Sequence, residues 1–310
     1  RALEELKHDR IDYVVNLAGE SIAQGRWTDA RKQKLIASRV EMTTMLYQYL
    51  AKRKIQPKCI ISGSAVGYYG IDPTEQWTEC CNEQSAPQSI FMSELCQKWE
   101  QSARQDTSQN TKIIRLGVVF GRGAGILPQM LFPIKMNLCG RIGSGRQPVV
   151  WVHIQDVLRA IEFLMLHETT AQVFNVVSPE KVIQSAFAQT AAQILKRRPV
   201  LSLPAFVLKL LLGEQSQLVL NGQFVRPEAL KAQGFEFKYP TLKEALLHLI
   251  QPKAWLWRRI ITQNVLNVLE YRQSHQPLSF GLTSILVAVV QMQAPYIDHF
   301  YNDRSLPRDW

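Results

Sequence analysis

Three short apolar runs constrain this chain most: residues 11–17 (IDYVVNL), 58–62 (KCIIS) and 112–120 (KIIRLGVVF). Each is rich in β-branched side chains, and each ends in small or polar residues: Ala18-Gly19-Glu20, Ser62-Gly63-Ser64 and the glycine-punctuated 121–125. Apolar runs of this length read as strands covered on both faces, the condition of a parallel sheet. Between the first two, residues 29–50 carry Leu35, Ile36, Val40, Met42, Leu46 and Leu50 near the helical period. Between the second and third, residues 89–104 set Leu95, Trp99 and Ala103 on one side of a helix. Strand, helix, strand, repeated, predicts right-handed crossovers and an α/β doubly wound parallel sheet. Such sheets take their ligands beyond the carboxyl ends of the strands. The stretch 59–70 (CIISGSAVGYYG) is therefore central. Its small residues allow close approach to the backbone, its serines supply hydroxyls, and Tyr68 and Tyr69 follow. Plain aromatic packing is the competing reading of that tyrosine pair.

Further along, residues 150–153 and 173–177 read as strands, and 155–167 and 183–196 as helices, with Asp156 near the start of the former. A smaller lobe follows to residue 250. Residues 1–10 read as a helix end with Leu3 and Leu6 as a thin apolar stripe. After Pro252 the character changes: Trp255, Leu256 and Trp257 lead an amphipathic stretch, and 278–292 is strongly apolar. That second stretch falls short of the roughly 20 residues needed to cross a bilayer and reads as a packed helix. The chain thus divides into 1–202, 203–250 and 251–310.

With 46% hydrophobic and 20% charged residues, the 310-residue chain can bury a sizeable core. The net charge of +10 comes from scattered cations, densest at Arg31, Lys32, Lys34 and Lys196-Arg197-Arg198. No nucleic-acid motif accompanies them, so the expected partner is an anionic small molecule and not a nucleic acid. Five cysteines without a CxxC spacing predict free thiols in a reducing compartment, the cytoplasm, with Cys80-Cys81 as a loop pair. Six dispersed histidines offer no metal-ligand spacing, and no metal is expected.

Several stretches together carry a resemblance: NLAG at 16–19, SGSAVGYYG at 62–70, RLGVVFGRG at 115–123 and WVHIQDVLRAI at 151–161. In this order they resemble the extended short-chain dehydrogenase/reductase superfamily. RWTDARKQKLIASRVEMTTML at 26–46 and LPAFVLKLLLGEQSQ, opening 203–246, narrow it. They are similar to the atypical branch of NAD-dependent epimerase/dehydratase-like proteins with its own C-terminal domain, whose members are sometimes labelled cell-division inhibitors. The resemblance covers about residues 1–250. It implies a Rossmann-like NAD(P)-binding domain, truncated, over 1–202, followed by a small α/β lobe. The implied activity is that of an oxidoreductase or epimerase-like enzyme moving hydride to or from a small carbonyl or sugar-like substrate. On the same resemblance, Leu17, Ala18 and Gly19 run their backbone along the cofactor. Arg39 meets a cofactor phosphate and favours NADP over NAD. Ser62, Arg115, Gly117 and Val119 contact the cofactor toward its nicotinamide end. His153 and Asp156 brace the substrate lobe, and a homodimer is compatible with the family.

Two departures accompany it. The Gly-rich turn that cradles the pyrophosphate in the family has no match, because FGRGAGIL at 120–127 follows the wrong strand; the first βαβ unit of a family member is expected to be missing. Phe91 and Leu95 stand where the superfamily carries Tyr-x-x-x-Lys, a pair in which the lysine lowers the tyrosine's pKa for proton transfer. Ser64 remains to orient a carbonyl, Tyr68 is the replacement phenol, and Lys98 is its candidate cationic neighbour. An enzyme with an atypical site and a non-catalytic dinucleotide-binding regulatory protein both fit. A weaker third reading is membrane contact through residues 255–292.

Overall fold

The computed structural model describes residues 10–72, 74–123 and 125–250, together with the backbone of 285–288. The readings made for 1–9, for the amphipathic stretch after Pro252 and for the rest of the tail lie outside the described residues.

Strand β1 (Tyr13–Asn16) leads through α1 (Asp29–Lys52) to β2 (Cys59–Ala65). A 3-10 turn, Val66–Tyr69, and the short β3 (Cys80–Cys81) precede α2 (Phe91–Ala103) and β4 (Thr111–Leu116). Then come β5 (Val118–Phe120), α3 (Leu127–Lys135), β6 (Cys139–Ile142), β7 (Trp151–His153), α4 (Ile154–Leu166) and β8 (Val173–Val176). The remainder is α5 (Gln184–Leu195), β9 (Leu201–Leu203), α6 (Ala205–Leu212), α7 (Gln217–Leu220), β10 (Phe224–Val225), α8 (Glu228–Ala232), α9 (Leu242–Ile250) and β11 (Ile285–Ala288).

The main sheet has the order β11-β1-β2-β4-β8, every pairing parallel, so the three predicted strands are parallel neighbours. The continuous apolar runs follow from burial on both faces. Ile60 packs with Val14, Leu46, Leu50 and Ala103 on the side of α1 and α2. Its neighbour Ile61 packs with Ile114, Leu164 and Phe174 on the other side. Both isoleucines are fully buried, each contributing about 1.5–3 kcal/mol by the usual area scale. Helix α1 starts where Thr28 Oγ1 accepts the Arg31 amide, with Asp29 in the first turn and Lys52 in the last, all favourable to the helix dipole.

Four expectations are corrected. Residues 112–120 form two strands, because Gly117 breaks them: a Cβ there would lie 2.9 Å from the Val150 carbonyl oxygen. Val118–Phe120 consequently leaves the sheet and pairs with Trp151–His153. Strand β2 continues past Ser62 to Ala65, so the serines are strand residues and not a loop exit. Cys80 and Cys81 are not a loop pair but a short strand paired with Phe224–Val225. In the apolar stretch read as a helix, Ile285–Ala288 is a strand beside β1, with Tyr13 opposite Ile285.

The lobe after residue 203 is fastened in two ways. A second core joins Phe120, Trp151 and Phe187 to Leu242, Leu246 and Leu249 of α9. Beside it the Asp156 carboxylate accepts the backbone amides of Lys238 and Tyr239 at 2.7 and 2.9 Å. The Tyr239 ring stacks on His153 at 3.9 Å, and His153 Nε2 lies 3.0 Å from His248 Nδ1. His153 Nδ1 accepts the Gln155 amide as the cap of α4, so Nε2 carries the proton shared with His248. The placement of His153 and Asp156 is that of a brace.

Candidate functional site

The carboxyl end of β1 runs into Leu17, Ala18 and Gly19. Asn16 fixes this turn, its side-chain oxygen accepting the Ala18 amide at 3.2 Å and its Nδ2 donating to Thr43 of α1 at 2.9 Å. Arg39 of α1 lies across Gly19: a Cβ on that glycine would meet Arg39 Cζ at 3.0 Å, so any larger residue pushes the guanidinium aside. Arg39 donates to the carbonyls of Leu35 and Glu20 and faces the Trp99 ring at 5.2 Å. Its side chain is buried, and among the described residues it forms no ion pair. The nearest acid, Glu20, is taken by Lys34 and Arg31, which hold its carboxyl below the usual range. Burial pulls the Arg39 pKa down. A desolvated cation without a carboxylate is costly, and an incoming anion relieves that cost.

Midway along β2, Ser62 is fully buried and its hydroxyl has no hydrogen-bond partner among the described residues; the Trp99 indole N–H likewise has none. Ser64 is buried and donates to Glu100 Oε1 at 2.8 Å. Glu100 also receives Arg115 in bidentate fashion, Nε to Oε1 at 2.7 Å and Nη2 to Oε2 at 2.8 Å. Arg115 Nη1 donates to the Tyr69 hydroxyl at 2.9 Å, and Tyr69 donates onward to Asn175 Oδ1 at 2.7 Å. Asn175 Nδ2 reaches the Arg226 carbonyl in the lobe. Burial opposes the charge on Arg115, but the Glu100 carboxylate overcomes it and holds the pKa above the ordinary arginine value. Burial pushes the Tyr69 phenol up to about 12, with Arg115 partly offsetting it. Tyr69 therefore remains protonated as a structural donor.

Tyr68 differs from its neighbour. Its ring lies over Arg115, 3.4 Å from Cζ to the centroid, and meets Tyr69 edge-on. It is half-buried, and its hydroxyl has no bond among the described residues. Ser93 of α2 fixes the local backbone by donating to the Tyr68 carbonyl at 2.5 Å. Lys98 is exposed, and no contact joins it to Tyr68; the cation at Tyr68 is Arg115. Phe91, in the vacated tyrosine position, packs edge-on to Trp27 at 5.0 Å with Lys32 Nζ 5.1 Å from its centroid. Gly117 makes room for the Val150 carbonyl, and Val119 lies in the short β5–β7 pair, half-buried.

The structure thus gathers Leu17, Ala18, Gly19 and Arg39 at one strand end, and Ser64, Tyr68 and Arg115 at the next. Sequence reasoning missed Glu100 and Asn175, which organise the second group, and read Tyr69 only as one of the tyrosine pair, not as the link between Arg115 and Asn175. The only signal available was a lone carboxylate on the apolar side of α2.

The sequence pattern of the NAD dependent epimerase/dehydratase family matches residues 1–177, and that of a domain of unknown function, DUF1731, matches residues 203–249. Epimerase family protein SSP1921 of Staphylococcus saprophyticus is 38% identical over 242 residues, 77% of this chain and 80% of its own. Epimerase family protein MW0731 of Staphylococcus aureus is 36% identical over 243 residues, 78% of this chain and 80% of its own. Among solved structures, the human epimerase family protein SDR39U1 (isoform 2) with NADPH superposes with a TM-score of 0.73 at 33% identity, covering 78% of this chain and 82% of that one. A UDP-glucose 4-epimerase from Thermotoga maritima, at 17% identity and TM-score 0.61 over 79% and 78% of the two chains, shares the fold. The parallel sheet, the motifs at its strand ends and these matches agree: the chain belongs to the NAD-dependent epimerase/dehydratase family.

Proposed function

We propose that the protein binds NADP(H) at the ends of β1 and β2 and transfers hydride, slowly, to or from a small carbonyl or sugar-like substrate beside Tyr68. The observation that carries the chemistry is Tyr68 itself: a half-buried phenol with a free hydroxyl, set over the guanidinium of Arg115. The residues fit a dinucleotide. Arg39 offers a buried, unpaired cation to a phosphate, Gly19 leaves the backbone bare, and Ser62 and Trp99 hold unsatisfied polar atoms nearby. The human relative crystallised with NADPH supports the choice of NADP over NAD. When bound, the cofactor supplies the hydride. Tyr68 hydrogen-bonds the substrate oxygen and gives or takes its proton. Arg115, fixed by Glu100, provides positive charge where negative charge develops on that oxygen.

A second reading, a non-catalytic dinucleotide-binding protein, is favoured by Phe91 packed against Trp27 and Lys32 and by Ser64 engaged with Glu100. One experiment separates the two. The full chain is titrated with NADPH and NADH, following tryptophan fluorescence, since Trp99 faces Arg39. Turnover is then assayed on short carbonyls and sugar nucleotides with the wild type and Tyr68→Phe. Slow turnover abolished by Tyr68→Phe supports the enzyme; binding without turnover supports the second reading; no binding overturns both.

A further inference from the structure

The surface made by α3, β6, α5, β9 and α6 combines two features that soluble surfaces keep apart. The first is exposed apolar area. Phe132, Met136 and Leu138 lie at the end of α3 and its exit, and Val200, just before β9, and Leu201, on it, are 84% and 63% exposed. Helix α6 buries none of its residues, and Phe206 and Leu210 are 69% and 76% exposed. These positions are contiguous. The Leu201 amide donates to the Leu138 carbonyl, Cys139 stands opposite Leu201 in the β6–β9 pair, and α6 begins two residues after β9.

The second feature is charge. Residues 126–142 and 184–212, which supply these elements, contain Lys135, Arg141, Lys196, Arg197, Arg198 and Lys209 and no aspartate or glutamate. All six cations are exposed, and none forms an ion pair among the described residues. They account for six of the net ten positive charges of the chain. The Arg198 amide is tied to the Asn137 side chain at 2.8 Å, which holds the basic turn after α5 against the apolar end of α3. Between β6 and α5 runs a cavity of about 310 Å³ whose walls include Arg141, Arg197, Ser185, Gln189 and Gln193, donors suited to a phosphate.

We propose that this face is a peripheral membrane-binding surface for an anionic lipid bilayer. Phe206, Leu210, Val200 and Phe132 enter the headgroup region, while the surrounding lysines and arginines meet lipid phosphates, one of them in the cavity between Arg141 and Arg197. Exposed apolar side chains interspersed with cations, on elements that carry no acidic residue, are the arrangement that lies in such an interface. A second copy of the chain fits the face poorly, because a two-fold contact opposes the same cationic rim to itself. Nucleic acid would satisfy the cations and leave the phenyl and leucyl groups unmatched. Among the described residues no helix is long and apolar enough to cross a membrane, so the contact is with the surface.

The test is flotation of the full chain with vesicles of phosphatidylcholine alone and of phosphatidylcholine with about one-third phosphatidylserine. The expected result is retention on the anionic vesicles only, weakened by salt. Combining Lys196→Gln, Arg197→Gln and Arg198→Gln lowers partition on the order of 100-fold, at roughly five-fold per cation. Phe206→Gln with Leu210→Gln abolishes the salt-resistant part. All five positions are exposed, and unchanged thermal denaturation confirms that the variants fold. The proposal is overturned by equal binding to both vesicle types or by no binding to either. It is equally overturned by anionic binding that these variants leave intact, or by a dimer in light scattering that they disperse.

Discussion

The guanidinium of Arg115 lies beneath the ring of Tyr68, 3.4 Å from Cζ to the centroid, with both oxygens of the Glu100 carboxylate holding it there. Tyr68 therefore owes its position to a residue on a neighbouring strand and to a helix residue that it never touches. The same guanidinium anchors Tyr69, so two adjacent tyrosines divide the labour: one is locked in the interior and one is presented.

Removing the carboxylate isolates a buried cation. Glu100→Gln leaves Arg115, only 3% exposed, without its counter-ion, and breaking such a pair costs about 3–5 kcal/mol. For a chain of this size the midpoint of thermal unfolding is expected to fall by roughly 6–20 °C. Scanning calorimetry on the variant checks this; an unchanged midpoint would show that the pair contributes nothing net.

Tyr68→Phe keeps the ring over Arg115 and removes only the free hydroxyl. Stability is expected to change by less than about 0.5 kcal/mol, as at other surface sites, while turnover falls by about 10²–10⁴-fold. Restoring the familiar pair with Phe91→Tyr and Leu95→Lys is not expected to create brisk activity, because Phe91 packs against Trp27 and Leu95 is buried. Steady-state rates on the three proteins test both statements.

Arg39→Ala is expected to weaken NADP(H) binding by about 1.5–3 kcal/mol and NAD(H) binding much less, through loss of a charge-assisted phosphate contact. Gly19→Ala should reproduce the discrimination more weakly, since its methyl group displaces the Arg39 guanidinium from 3.0 Å. Fluorescence titration with both cofactors reads the difference; equal small effects would make Arg39 a bystander.

The clamp on the lobe gives the fold an acid limit. Burial, then His248 and Lys238, lowers His153 to about 3; burial, Lys238 and Arg122 lower His248. In the unfolded chain both titrate near 6.5, so below that pH the unfolded state takes up more protons. The stability they contribute is complete above about 6.5 and is lost as the pH falls toward 3. His153→Asn keeps a cap acceptor for Gln155 and removes the larger depressed group. Its unfolding midpoint between pH 7 and pH 5 is expected to fall less steeply than that of the wild type.

The strands and helices that position the site were legible because their periodicity is local: Val14, Ile60 and Ile61 announce strands, and Leu35, Leu46 and Leu50 a helix. The break at Gly117 was not, because its cause is the Val150 carbonyl, more than thirty residues away, and the apolar run continues through it. Tyr68 could be singled out by residue type just beyond a strand, and Arg39 by the family motif around it on a helix. That Arg115 answers to Glu100, that Ser64 is engaged, and that Arg115 replaces Lys98 as the cation at Tyr68 depend on which faces of α2 and β4 meet. No spacing in the sequence encodes that.

Asp156 grips the lobe by two main-chain amides, those of Lys238 and Tyr239, and by no side chain of theirs. An attachment of that kind is blind to residue identity on the far side. At Lys238 the side chain can therefore change without loosening this grip, whereas Tyr239, whose ring stacks on His153, is held to type by that second contact.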